Sequence, residues 1–236
     1  GYRINDFNPY VFVSNDNGET WKNISSNLPL SPVNVIREDI NSDKVLYVGT
    51  DNGVFVSLDS GKSWNPFSKN LNRVAVHDLV IHDGENDLLV GTHGRSIYKT
   101  NLEVFNNYIK KHKKGNDLTV LNISELKFSR SWGRKPNYSD VVYNEKVNIN
   151  LYCESDKDLE FSVLDEKGNV LHSNNAKLRE GFNTISFLPI INVEMSAKKL
   201  KKISFSTNKS SDGNIYLGKG KYTLILNNIN QTFEIK

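Results

Sequence analysis

Apolar and polar residues alternate over short runs through most of this chain. The runs are rich in Val, Ile, Tyr and Phe, and Asn, Asp, Gly and Ser separate them. Lys44–Thr50 (KVLYVGT), Lys146–Glu154 (KVNINLYCE) and Lys221–Leu226 (KYTLIL) show the pattern. A period of two predicts half-buried strands bounded by turns, so the chain reads as all-β. One stretch departs from it. In Asn101–Lys114 (NLEVFNNYIKKHKK), Leu102, Phe105 and Ile109 have rough helical spacing. That predicts a short helix or an irregular connector, because two adjacent Asn residues are poor helix formers.

The pattern also repeats. Val11–Trp21 reads VFVSNDNGETW and Val54–Trp64 reads VFVSLDSGKSW, with Trp21 and Trp64 43 positions apart. Val48–Gly53 (VGTDNG) is echoed 42 positions later by Val90–Arg95 (VGTHGR). A period of about 40–50 residues containing short strands predicts β-propeller blades. The shared core is Ser14, Asp16, Gly18, Thr20 and Trp21 in the first copy, and Ser57, Asp59, Gly61, Ser63 and Trp64 in the second. Its chemistry is that of a stapled hairpin. Ser and Asp oxygens accept hydrogen bonds from turn amides. Gly permits a left-handed backbone, and Trp covers the hairpin with a large apolar surface. Asp16 and Asp59 also have the chemistry of a general acid or a metal ligand. Recurrence at a fixed repeat favours the staple, since catalysis does not need the same residue twice. Each Trp is expected to be buried, so replacing either by Ala should cost about 3–5 kcal/mol.

This motif resembles the Asp box, or BNR repeat, of sialidases, sortilin-like receptors and xyloglucanase-type glycoside hydrolases. The segment Gly91–Tyr98 (GTHGRSIY) resembles the last blade of a bacterial sortilin-like family, and Ser131–Pro136 (SWGRKP) resembles the linker that follows it. The resemblance implies a closing β-sandwich, matched here by Leu159–Leu171, Gly181–Phe187 and Gly220–Ile235. Two copies of the repeat cannot close a propeller, which needs at least about four blades. Residues before about Leu102 are therefore expected to pack against the rest of a propeller, in a missing segment or another chain. The first residue is Gly1 and no leader follows it, which fits a processed chain or an excerpt.

From Asp117 onward no Asp box appears. About seven short strands with turns at Asp165–Asn169 and Asn227–Asn228 predict an immunoglobulin-like or fibronectin-like sandwich. The organisation read from the sequence is thus blades over 1–100, a connector over 101–140 and a sandwich over 141–236. The 236 residues include 30 Lys plus Arg against 27 Asp plus Glu, a formal charge of +3. Such a balance argues against a nucleic-acid binder. No run of about 18 apolar residues is present, so no transmembrane helix is predicted. The densest basic run, Lys110–Lys114 (KKHKK), reads as a solvated connector, or as contact with an anionic surface. The single Cys153 cannot form an internal disulfide, and its register with Val147, Ile149 and Leu151 predicts a buried core residue.

Among polar residues, His93 and Arg95 are the candidate ligand-binding pair, since a loop Arg can hold a carboxylate bidentately. Both also serve as turn residues ordering the last blade. Arg37, Arg73 and Arg95 do not occupy matching repeat positions, so no arginine triad is read. His77 is expected to share a strand face with Leu79 and Ile81, and His82 the opposite face, which precludes joint chelation. No cofactor or metal site and no catalytic residue is read from the sequence. The resemblance implies a portion of an exported bacterial propeller protein at the periplasm, cell surface or exterior. Its expected role is a non-enzymatic scaffold for a protein or glycan ligand. A glycoside hydrolase with its two carboxylates in other blades is one alternative. A surface protein whose sandwich is a type IX sorting domain of the Bacteroidota kind is another.

Overall fold

The computed structural model describes residues 5–67, 71, 73–113, 115–136 and 141–236. Gly1 and Lys114, the last residue of the basic run, lie outside the described residues. The chain divides into two compact units, Gly1–Asn106 and Asn107–Lys236. Both are built from small antiparallel sheets, and among the described residues no sheet closes into a barrel.

In the first unit, β1 (Phe12–Val13) pairs with β2 (Lys22–Asn23). A four-stranded meander follows, with β3 (Val33–Asp39), β4 (Ser42–Thr50), β5 (Gly53–Ser57) and β6 (Asn65–Pro66) in spatial order. A three-stranded meander comes next, with β7 (Val76–His82), β8 (Asp87–Thr92) and β9 (Ile97–Asn101). The sequence repeat is a repeat of register. Phe12↔Asn23 and Val13↔Lys22 in the first sheet are Phe55↔Pro66 and Val56↔Asn65 in the second, shifted by the same 43 positions. Among the described residues the unit therefore holds two strands of one blade, the four strands of the next, and three of another.

Alternation fails in β4, where Tyr47, Val48, Gly49 and Thr50 are all buried. Both faces of this central strand are covered, which removes any need for a polar side. Tyr47 packs its ring on Phe67 and Phe105. Val48 belongs to the cluster of Val11, Ile24, Leu28 and Trp64. Gly49 lies against the next sheet, where an added Cβ would come within 2.6 Å of Val76 Cγ1.

The stretch read as a connector contains a helix, α1 (Glu103–Lys111), capped where the Glu103 amide donates to Asn101 Oδ1 at 2.9 Å. Within the basic run, Lys111 donates to the Leu121 carbonyl at 2.6 Å and His112 Nδ1 sits 3.1 Å from Thr119 Oγ1. Those two residues thus have contacts within the second unit, Lys111 while exposed and His112 while half-buried.

The second unit adds β10 (Leu118–Ile123), β11 (Val147–Cys153), β12 (Lys157–Leu164), β13 (Val170–Leu178), β14 (Gly181–Phe187), the short helix α2 (Ala197–Leu200), β15 (Gly220–Leu226) and β16 (Ile229–Ile235). One sheet has the order β10-β11-β14 and the other β13-β12-β15-β16. Their apolar faces share one core, including Val147, Ile149 and Leu151 from the first sheet and Leu159, Phe161 and Val163 from the second. That is a two-layer sandwich. Strand β11 alternates as its sequence predicts, with Cys153 buried in line with its apolar neighbours, and burial raises the thiol pKa. Strand β10 lies within the stretch read as a connector, and so does Trp132, which belongs to this core.

His172 is buried in the same core between Phe161 and Phe187. Its Nδ1 is 3.0 Å from the Ile190 carbonyl, and its Nε2 has no partner among the described residues. Burial lowers its pKa below 6.5, against a smaller upward pull from that carbonyl. The unfolded chain takes up this proton near pH 6.5 and the folded chain resists it. The associated stability is complete above that pH and is lost as pH falls below it. Thermal melts from about pH 7 to about pH 5 should fall more steeply for the parent than for His172→Phe. Parallel curves would remove His172 as the source.

Candidate functional site

The two Asp boxes form the same hydrogen-bond circuit. Ser57 Oγ donates to Asp59 Oδ1 at 2.8 Å and accepts from the Gly61 amide at 2.8 Å. Asp59 then accepts from the Ser63 amide at 2.8 Å and the Ser63 hydroxyl at 2.6 Å. In the first box, Ser14 donates to Asp16 and accepts from Gly18, and Asp16 accepts from Thr20, at 2.5–2.9 Å. Gly18 and Gly61 have φ of 93° and 83°, the left-handed backbone these turns need. Hydrogen bonds from the Thr20 hydroxyl, the Thr20 amide and Ser14 lower the Asp16 pKa to about 2. Burial raises that of Asp59, but the Ser63 hydroxyl and amide outweigh it and the net shift is downward. Every oxygen of each carboxylate is engaged within its own turn.

The Trp residues of the two boxes differ. Trp64 is 2% exposed and Trp21 is 63% exposed. The expectation of a buried Trp21 is corrected by the reason for Trp64's burial. Trp64 is not covered by its own hairpin. It lies on Val11, just before β1, and on Ile24 and Leu28, which follow β2. Its indole N–H donates to the Ile24 carbonyl at 2.8 Å, and Asn27 both donates to its carbonyl and accepts from its amide. No described element occupies the equivalent place beside Trp21, whose indole donates instead to Gly18 of its own turn at 3.1 Å.

A polar cluster lies where β3 meets β7. Both strands carry a bulge at the same repeat position, and the extra residues are Asn34 and His77. The bulge overturns the expected alternation in β7. Val76 and Leu79 are buried, while His77 and Asp78 between them are exposed. His77 therefore does not share a face with Leu79. Each bulge residue meets the turn residue at the end of its neighbouring strand. Asn34 Nδ2 donates to Asp51 Oδ1 at 2.9 Å. In the next blade His77 and His93 hold the same positions, with ring centroids 5.5 Å apart. Arg37 then ties the two inner strands together, its Nη2 2.9 Å from Asp78 Oδ1. A cleft of about 510 Å³ opens here, lined by Asn34, Arg37, His77 and Asp78 and by the exposed pair Tyr10 and Phe12. The rings of Tyr10 and Phe12 are nearly parallel, 6.4 Å apart.

The candidate pair His93 and Arg95 is thus divided. His93 joins His77, and Arg95 is exposed, with its guanidinium pairing with no described residue. The Arg37–Asp78 pair was hidden in sequence because its partners come from different blades. The repeat offset was the available signal, since aligning the blades places Asn34 over His77 and Asp51 over His93. The arrangement suits recognition of a polar ligand through a cation, a carboxylate, two imidazoles and two aromatic rings. Among the described residues no group of three or more His, Cys, Asp or Glu converges as an ion site.

Successive antiparallel meanders that repeat one register, two of their hairpins stapled by Asp-box turns, are the blades of a partial β-propeller. The family model described as "Sortilin, neurotensin receptor 3" matches residues 9–186, and the chain belongs to that family. No curated protein matches it. Two solved structures are similar to the chain at 12% identity each. The extracellular domain of the hybrid two-component system BT4673 from B. thetaiotaomicron gives a TM-score of 0.31, covering 96% of this chain and 28% of its own. Drosophila Semaphorin 2a gives 0.24, covering 92% of this chain and 37% of its own. The chain thus spans well under half the length of either. No described helix is long and apolar enough to cross a membrane.

Proposed function

We propose that this chain is part of an extracytoplasmic sortilin-like propeller protein that binds a protein or glycan ligand without turning it over. The observation that carries this reading is the cleft over β3 and β7. Its carboxylate, Asp78, pairs with Arg37, and Asp51 beside it accepts from Asn34, so both serve as bracing groups. Inverting glycoside hydrolysis asks for one carboxylate free to give a proton and another free to take one. The fold membership supports a binding role.

The incomplete blades favour the remainder of a propeller as the first partner. Strand β5 is paired on both edges, whereas β1, its repeat equivalent, is paired among the described residues only with β2. Phe12 and Trp21 beside that edge are 48% and 63% exposed. The second unit acts in this reading as a sandwich appended to the propeller.

The test uses the full-length protein on a glycan array and in hydrolysis assays with sialosides and xyloglucan. Saturable binding without turnover is expected, weakened about tenfold or more by Arg37→Ala combined with His77→Ala. Turnover that a single carboxylate substitution abolishes would replace the binding reading with the hydrolase one.

A further inference from the structure

A second cleft, of about 810 Å³, lies in the sandwich unit between the turn around Trp132 and the loop from Ser204 to Ser211. Arg130, Arg134, Lys135, Lys209 and Lys219 line it, and among the described residues no carboxylate does. Arg130, Arg134, Lys209 and Lys219 are exposed and form no ion pair with a described residue. Gathering like charges costs free energy, which a bound anion offsets.

The walls are built rather than loose. Ser210 Oγ donates to the Trp132 carbonyl at 2.7 Å, and Ser211 Oγ to the Gly133 carbonyl at 2.9 Å. The Tyr216 hydroxyl lies 2.5 Å from Asn144 Oδ1 and 2.7 Å from Asp212 Oδ2, which fixes the far side. Asp212, beside the loop, accepts from the Tyr216 hydroxyl and from the Asn214 amide and side chain, and its one negative charge offsets only part of the positive charge around it. Trp132, which lines the cleft, is 2% exposed, and its indole N–H has no acceptor among the described residues.

Two further features set the ligand class. The half-buried rings of Phe128 and Phe205 give the cleft apolar patches beside its serine hydroxyls. Its walls are turns and loops, so it presents no strand edge to pair with an extended peptide. Apolar ring faces, hydroxyls and cations together match a sugar bearing carboxylate or sulfate. We propose that this cleft binds an acidic polysaccharide. The site is separate from the cleft in the first unit and does not depend on the role given to that cleft.

The test is calorimetric titration of the whole chain with four probes at low ionic strength. They are heparin oligosaccharide, hyaluronan oligosaccharide, neutral dextran and poly-glutamate. Binding of heparin, hyaluronan or both is expected, and the stronger of the two tells sulfate from carboxylate. The variant Arg130→Ala/Arg134→Ala/Lys209→Ala removes three exposed cations from the cleft. Lys198→Ala/Lys199→Ala/Lys201→Ala removes three exposed cations at helix α2 and serves as the matched control. Affinity should fall about tenfold or more in the first and less than about twofold in the second. Thermal melts of both variants check that the fold persists. Equal losses would overturn the proposal in favour of diffuse charge attraction. Poly-glutamate binding as tightly as the sugars would overturn it in favour of an acidic peptide. Failure of both acidic sugars to bind would overturn it outright.

Discussion

Trp64→Ala should lower the unfolding free energy of the first unit by about 3–5 kcal/mol, and Trp21→Ala by less than about 1 kcal/mol. The two residues occupy the same place in the same motif, so composition and local geometry predict equal effects. Their surroundings predict the difference. Removing the Trp64 side chain opens a cavity against Val11, Ile24, Leu28 and Val48. It also leaves the Ile24 carbonyl without the indole donor it now has at 2.8 Å, a net loss of about 1 kcal/mol within that total. Gly61 adds to the loss, because its Cα packs so closely on Ile24 that an added Cβ would come within 2.7 Å of that side chain. A gap beside Ile24 therefore loosens the hairpin as well as the Trp pocket. Trp21, 63% exposed, already has most of its surface in water, and its indole bonds only to its own turn. Denaturant unfolding followed by far-ultraviolet circular dichroism checks both values without depending on tryptophan emission. Similar losses in the two variants would show that the Trp acts within its own hairpin.

The same contrast shows where the sequence was legible. The Asp-box circuit is local, spanning Ser14 to Thr20 and Ser57 to Ser63, and side-chain chemistry with a single left-handed glycine dictates it. The period-two strands of the sandwich were legible for a similar reason, since one sheet face meets one core. What was not legible needs a neighbour. Trp64 is buried by residues about 40 positions earlier, and nothing in its own eleven-residue motif distinguishes it from Trp21. The bulge at His77 shifts the strand by one residue, which no alternation rule anticipates. The site pairs Asn34–Asp51 and His77–His93 become visible only once the blades are laid over one another. The Arg37–Asp78 pair breaks the repeat, because the positions equivalent to Arg37 and Asp78 in the other blade are Val80 and Val35. It fastens one blade to the next, so symmetry between blades cannot reveal it. Strand β10 was read as connector because its partner, β11, begins 24 residues after β10 ends.

Gly133→Ala is expected to destabilise the second unit by about 2–4 kcal/mol, with both strain and overpacking contributing. Gly133 has φ of +73°, in the left-handed region where a Cβ is disfavoured by about 1 kcal/mol or more. The space around it is also filled. A Cβ there would lie 2.5 Å from Tyr216 Cε2, 2.7 Å from Asp212 Oδ1 and 2.7 Å from Ser210 Oγ. None of the three moves freely. Tyr216 is held by Asn144 and Asp212, Asp212 by the Asn214 amide and side chain, and Ser210 by the Trp132 carbonyl. Displacing any of them breaks a hydrogen bond that fixes the wall of the basic cleft. Gly168 supplies the control, since it also has a left-handed φ, of +80°, yet an added Cβ meets nothing within 4 Å. Gly168→Ala should therefore show the strain alone, about 1 kcal/mol. The difference between the two variants in thermal or chemical unfolding measures the crowding at Gly133. If that difference vanishes, the loop from Ser210 to Tyr216 yields to a methyl group, and the cleft it bounds is not rigid. If it holds, the wall facing Arg130 and Arg134 is set before any anion arrives, and binding there is free of the entropic cost of ordering the loop.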